Sequence, residues 1–367
     1  MWLKNLTLLN FKNYNNADLK FTKTVNAFVG NNGAGKTNLL DAIHYLCLCK
    51  SYFNPIDSQQ IKTGEELFLV QGDFDRDDKN EKISCGLKRS QKKSFKRNKK
   101  EYDKLADHIG LFPVVMISPY DINLIMDGSE ERRRFIDNVI SQTDSRYLDE
   151  LILYNRHLLN RNALLKQIAA TRTLDVALLQ ILDEQLVHSG NVIFEKRKQF
   201  LLDFIPLFDK HYRFLTNDAE QVSLTYQSQL NEQRFETLLA QSIEKDRILE
   251  RTTTGIHKDE LQFEIANMPM KKFGSQGQQK SFLIALKLAQ YSYLQKFKNF
   301  KPLLLLDDIF DKLDTHRIHK LMEMVSHQDF GQIFITDANK DRVEAVFKEI
   351  AVEINLFEVS EGEVDYA

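Results

Sequence analysis

The apolar positions of this chain change period twice. From residue 1 to about 115 they fall in short runs of strand character. Residues 25–29 form an apolar run stopped by Gly30, and 66–75 alternate before a polar turn at 77–80 and a second run at 82–87. The last two runs predict a hairpin. Between Ser129 and Arg251 Gly190 is the single glycine and Pro206 the single proline, and apolar residues recur at helical spacing, as in Tyr147, Leu151, Tyr154 and Leu158. The middle third is predicted to be mostly helical. After Arg251 a helical stretch at 277–297 precedes three strand-like runs at 302–306, 331–335 and 351–359. No internal repeat or low-complexity tract interrupts this order, and the central helices lack the sustained apolar heptads of a long coiled coil. The pattern predicts an α/β domain interrupted by a helical insertion.

Composition narrows the class. A length of 367 residues allows two domains or one large domain with an insertion, and 43% hydrophobic with 28% charged residues excludes fibrous, low-complexity and wholly disordered chains. No apolar stretch approaches the ~18–20 residues of a membrane helix, and Met1-Trp2-Leu3-Lys4-Asn5 lacks the layout of a signal peptide, so a cytoplasmic location is expected. Cys47, Cys49 and Cys85 show no CxxC spacing and are expected to be reduced core residues. With 50 Lys+Arg against 52 Asp+Glu the net charge is −2. Polyanion binding would therefore need a local patch.

Gly30-Asn31-Asn32-Gly33-Ala34-Gly35-Lys36-Thr37, followed by Asn38, fits GxxxxGK[ST] between a strand and an amphipathic run through Leu39, Leu40, Ile43 and Leu46. Glycines let backbone N–H groups turn toward a phosphate, and the following helix adds its positive end. Lys36 would reach the β- and γ-phosphates and Thr37 would ligate Mg2+. Downstream, the run Leu303 to Leu306 reads as a buried strand ending in Asp307 and Asp308. Ligands bind at the ends of such parallel strands. Asp307 would complete the Mg2+ shell, and Asp308 would polarise the attacking water.

Gly274-Ser275-Gln276-Gly277-Gln278-Gln279-Lys280 precedes a long amphipathic helix about 25 residues before the acidic strand end, and this layout resembles the signature loop of ABC-type ATPases. A serine hydroxyl, a glycine N–H and a helix start together form an anion site. In that family the anion is the γ-phosphate held by a second protomer. Leu313 and Asp314 stand where those enzymes carry the D-loop that crosses the dimer interface. Asn339-Lys340-Asp341 suggests the guanine-reading NKxD, but Arg342 in the fourth position breaks the match.

Nine Lys/Arg and two acidic residues lie between Lys88 and Lys104, with Phe95 and Tyr102 among them. Lys92, Lys93, Lys96, Arg97, Lys99 and Lys100 could neutralise DNA phosphates, or could protect the edge of a solvated hairpin. Arg132-Arg133-Arg134 at a helix start opposes the dipole, which calls either for a phosphate or carboxylate partner or for a structural contact within the lobe. His257 with Asp259 and Glu260, and His316 with His319, lack a third ligand at metal spacing.

Beyond these motifs the chain resembles the RecF family of bacterial recombination and repair ATPases along nearly its whole length. Leu8-Leu9-Asn10-Phe11-Lys12-Asn13-Tyr14 is similar to that family's first strand and FRNY turn. Ser118-Pro119-Tyr120-Asp121, Arg132-Arg133-Arg134-Phe135-Ile136-Asp137 and Arg161-Asn162 with Leu164-Leu165-Lys166 resemble its inter-lobe and helical-lobe motifs. Gly255-Ile256-His257-Lys258-Asp259-Glu260 resembles its GPHRDD turn, expected near the signature side of the nucleotide, and 275–280 its SQGQQR signature. The resemblance implies an α/β ABC-type ATPase head with a mixed sheet and an inserted compact α-helical lobe. The expected division is 1–125 for the first half of the head, 126–250 for the lobe and 251–367 for the second half.

The same resemblance implies ATP and Mg2+, an ATP-dependent homodimer, DNA as ligand near single-strand gaps, and partnership with RecO and RecR in loading RecA. Lys12 stands where the family has an arginine near the adenine, and Ser118 to Asp121 where wider ABC enzymes place a glutamine. Asp308 replaces a longer glutamate, and 336–339 lack a switch histidine. A slow ATPase acting as a timer is expected. A transporter ATPase subunit and a chromosome-organising head are the alternatives.

Overall fold

The computed structural model describes residues 1–366 without 172, 174, 218, 219, 313 and 314, and without the side chains of 311, 312, 315 and 316. Contacts divide the chain into a head, 1–121 with 280–367, and a lobe, 122–279. In chain order the head begins with β1 (Trp2–Phe11), β2 (Tyr14–Lys20), β3 (Val25–Val29), α1 (Lys36–Leu48), β4 (Leu67–Arg76), β5 (Lys79–Lys88), β6 (Ser94–Arg97), β7 (Lys100–Glu101) and β8 (Val114–Ile117). The lobe follows with α2 (Asn123–Met126), α3 (Ser129–Thr143), α4 (Ser145–Thr171), α5 (Val176–Thr216), β9 (Val222–Gln227), α6 (Phe235–Leu249), β10 (Glu260–Ile265), β11 (Met268–Pro269) and α7 (Met270–Phe273). Helix α8 (Gln276–Lys298) begins in the lobe and returns to the head. There β12 (Leu303–Leu306), α9 (Ile309–Lys312), α10 (Thr315–Ser326), β13 (Ile333–Asp337), α11 (Lys340–Glu349), β14 (Ile354–Ser360) and β15 (Glu363–Tyr366) complete the chain.

The head has two sheets. One is antiparallel, in the order β2-β1-β4-β5-β6-β7. Its β4–β5 hairpin closes on Asp77 and Asp78, both at positive φ, the twist that a two-residue hairpin loop requires. The other runs β15-β14-β3-β13-β12-β8 and is parallel except for the edge strand β15. Strands β3, β8, β12 and β13 are buried at every position, as strands covered on both faces must be. Helix α1 packs against both sheets, so its surroundings bury even Lys36, Asp41 and His44. The amphipathic character expected of it is not realised. Leu6, Leu39, Ile43, Leu46, Phe68, Phe334 and Phe357 share one core with members of both sheets.

In the lobe α4 and α5 form the main helical pair. Gly190 on α5 lets Phe235 approach, because a Cβ there would lie 2.5 Å from its ring. Strands β9 and β10 pair antiparallel, with Glu260 opposite Gln227 and Ile265 opposite Val222. This corrects the expected boundaries. The middle third is mostly helical, as expected, with one strand, β9, within it, but 251–279 pack with the lobe rather than with the second half of the head, so the boundary near 250 moves to 279. The first boundary falls at 121 instead of 125. The physical reason is pairing at a distance, which joins β10 to a strand on the far side of the expected cut.

The segments 132–134, 161–162 and 255–260 meet as the lobe's polar core. Arg161, with no exposure, bonds Asp183, Asp246 at 2.7 Å and Thr252 at 2.9 Å. Arg197 bonds Asp259 at 2.8 Å, Asp137 at 2.9 Å and the Ile256 carbonyl at 2.9 Å. Arg132 makes a two-pronged bond to Glu260, Arg133 donates to the Asp259 carbonyl, and Arg134 pairs with Glu130 and Glu131. The three arginines thus have carboxylate and carbonyl partners inside the lobe. His257 lies between the Tyr154 hydroxyl and the Thr252 carbonyl, and burial lowers its pKa to about 4. Among the described residues no cluster could hold a metal through His, Cys, Asp and Glu alone.

Candidate functional site

The glycine-rich turn leaves β3 at Gly30, where a Cβ would stand 2.1 Å from the Val359 carbonyl oxygen of β14. Only glycine fits between those backbones. Gly33 and Gly35 take positive φ, and Gly35 is the N-cap of α1. Asn13 braces the turn by donating to the Ala34 carbonyl at 2.9 Å and accepting from Asn38 at 2.7 Å. The Tyr14 hydroxyl donates to the Gly35 carbonyl at 3.0 Å, and the Gly362 amide to the Ala34 carbonyl at 3.1 Å. Asn31, Asn32 and Gly33 stay exposed. The loop is held from behind and open in front.

Within it Lys36 curls back so that Nζ donates to the carbonyls of Gly30 at 2.7 Å and Asn31 at 3.0 Å. The ammonium is fixed over the loop and is a ready counter-charge for an anion at the start of α1. Thr37 Oγ1 donates to Asp307 Oδ1 at 2.7 Å. In the parallel sheet β13 separates β3 from β12, and its Thr336 braces the residues that follow β12. Thr336 Oγ1 donates to Asp307 Oδ1 at 2.9 Å and accepts from the Asp308 amide at 2.9 Å. Ser118, just past β8, donates to Asp307 Oδ2 at 3.2 Å. Asp308 has positive φ, 45°, and is only partly buried. Three strand ends therefore converge on one carboxylate.

Sequence reasoning missed Asn13, Ser118 and Thr336 as site residues. Their signals were position, each lying at or just past a strand end, and their place within the segments 8–14, 118–121 and 336–339 that were compared with family motifs. Lys12 is engaged elsewhere: its Nζ pairs with the buried Asp41 at 2.5 Å and lies over the rings of Phe11 and Phe53. Asn339 caps α11 by accepting from the Arg342 amide, a structural use that accounts for the partial NKxD likeness.

At the signature, Ser275 and Gln278 bond reciprocally: the Ser275 amide donates to Gln278 Oε1 at 2.7 Å, and the Gln278 amide to Ser275 Oγ at 3.3 Å. This capping box starts α8. Gln278 also donates to Glu220, while Ser275 and Gln276 are exposed and Gly277 is half-buried. Leu313 and Asp314 lie outside the described residues. The expected basic run divides. Lys92, Lys96, Lys99 and Lys100 are exposed around the β6–β7 hairpin at the sheet edge. Lys93 is bound to Asp57 at 2.7 Å and to the Cys49 carbonyl at 2.7 Å, and Arg97 is paired with Glu81. Phe95 is buried against His108, so it is core and not a stacking platform.

The RecF/RecN/SMC N terminal domain family matches residues 2–360. The DNA replication and repair protein RecF of Flavobacterium johnsoniae is 54% identical, across 95% of this chain and 97% of that one. Its namesake in Parabacteroides distasonis is 50% identical across 99% of each. The solved structure of the recombination mediator protein RecF-ATP in the RecFOR pathway superposes with a TM-score of 0.90 at 31% identity, covering 100% of this chain and 97% of that one. An Smc head domain from Pyrococcus furiosus, at 18% identity and a TM-score of 0.58, shares the fold. With relatives this similar over its full length, the chain belongs to the RecF family of ABC-type ATPases.

Proposed function

We propose that this chain works in DNA replication and repair as an ATP-gated clamp: ATP closes two heads on DNA near a single-strand gap, and slow hydrolysis releases them. The observation that carries the nucleotide chemistry is the 2.7 Å bond between Thr37 and Asp307 next to a phosphate loop whose Lys36 is already turned over its carbonyls. Thr37 and Asp307 offer oxygen donors of the kind Mg2+ takes, and they fit that ion. When bound, it would neutralise charge on the β- and γ-phosphates. The loop amides and Lys36 bind and orient the triphosphate, and Asp308 would place the attacking water.

Support for the gating comes from the exposed Ser275 and Gln276 at the start of α8, which suit a γ-phosphate presented by a second copy. Support for a DNA ligand comes from the family and from the exposed Lys92, Lys96, Lys99 and Lys100, which would add salt-dependent phosphate contacts. RecO and RecR are the partners this reading implies, with RecA as the protein loaded and the cytoplasm as its place. Among the described residues no helix is long and apolar enough to cross a membrane. The test is sedimentation with ATP and gapped duplex DNA. The wild-type chain should dimerise and hold DNA, and Lys36→Arg should do neither. An unchanged Lys36→Arg would overturn the proposal.

A further inference from the structure

Lys287 is a buried lysine on α8 that no phosphate or signature motif includes. Its side chain is 6% exposed, and Nζ pairs with Asp121 Oδ1 at 2.6 Å, where Asp121 is 4% exposed. The same ammonium donates to the Tyr52 hydroxyl at 3.0 Å, and that hydroxyl also bonds Asp121. Asp121 in turn uses Oδ2 to accept from the Ser118 amide at 2.8 Å, closing the short turn after β8. Ser118 Oγ then donates to Asp307 Oδ2 at 3.2 Å. All these groups belong to the head.

The geometry points to Lys287 as a positioning residue for Asp307, acting through Asp121 and Ser118 and with Tyr52 as its brace. Burying an ammonium and a carboxylate is costly, and an apolar pair of similar volume would often serve stability as well. What the pair adds is direction. Asp121, held by Lys287 and Tyr52, fixes the Ser118 amide, and the turn so closed aims the Ser118 hydroxyl at Oδ2. Thr37 and Thr336 both use Oδ1, so Ser118 sets the rotation of the carboxylate about its last bond. Without it the carboxylate turns more freely, and the site must spend binding free energy to align it. The inference rests on the proposed Mg2+–ATP site and adds the residue that orients its acidic member.

The experiment is a Mg2+ titration of fluorescent ATP-analogue binding to the full chain. The variants are Lys287→Met, Ser118→Ala, their double mutant, and Lys287→Met/Asp121→Leu, which removes both buried charges. Each of the first three should raise the half-saturating Mg2+ concentration by about tenfold, the worth of one hydrogen bond to a charged group. The double mutant should be no worse than either single one, because both interrupt one path. The charge-free pair should keep wild-type thermal stability and still show the raised Mg2+ requirement. Multiplying effects in the double mutant, or a normal Mg2+ requirement in folded Lys287→Met, would overturn the inference. If the wild-type chain showed no Lys36-dependent binding at all, the nucleotide site itself would be wrong.

Discussion

Thr37 and Asp307, separated by 270 residues, meet through one hydrogen bond of 2.7 Å. The contact joins the first turn of α1 to the end of β12. It also sets a test of which group holds the ion. Thr37→Val keeps the volume and removes the hydroxyl. We expect Mg2+-dependent ATP affinity to fall about tenfold or more, the worth of a bond to a charged group, while affinity for nucleotide in EDTA changes little. Calorimetric titration with and without Mg2+ checks this. Equal losses under both conditions would mean that Thr37 shapes the loop instead of serving the ion.

Asp308 and Ser275 should separate hydrolysis from assembly. Asp308→Asn should bind ATP, lose turnover by about 100-fold or more as a water-orienting group is removed, and accumulate as a dimer in gel filtration with ATP. A monomeric Asp308→Asn would remove the role given to Asp308. Ser275→Arg should stay monomeric and still bind ATP. It also breaks the capping box with Gln278, at a cost of about 1 kcal/mol. Loss of ATP binding in that variant would place the loop at its own chain's nucleotide.

The lobe depends on Arg161. Arg161→Met leaves the fully buried Asp246 without its cation, and the expected destabilisation is about 3–5 kcal/mol. Hydroxyls from Ser242 and Thr253 still reach Asp246, which favours the lower end. Urea unfolding measures it. A change under about 1 kcal/mol would show that the network contributes little to stability.

Acid should weaken the fold through its buried histidines. Burial lowers His44, His108 and His257 from the ordinary 6.5 to about 4. The unfolded chain then binds more protons between those values, so stability is full above pH 6.5 and drains as pH falls toward 4. The melting temperature should drop by about 5 °C or more between pH 7 and pH 5. A flat profile over that range would mean the rings are charged or exposed.

The phosphate loop was legible because its chemistry is contiguous: glycines, a lysine and a threonine between one strand and one helix. Leu303 to Leu306 was legible because a strand buried on both faces must be apolar throughout. Asn13, Ser118 and Thr336 carried no such pattern. Their roles arise when strand ends distant in sequence become neighbours in space. The same cause hid β9 and β10, whose short alternations acquire meaning through pairing with each other. The basic run was half legible, since composition shows the charges but not that Asp57 and Glu81 already hold Lys93 and Arg97.

The most direct test of the clamp is steady-state ATP hydrolysis measured against protein concentration, with and without gapped duplex DNA. A specific rate that climbs with protein concentration and rises further with DNA is the expected result, because in the proposed clamp each site is completed by a second copy's signature loop. A specific rate independent of both would leave the phosphate loop in place and contradict two heads closing on DNA.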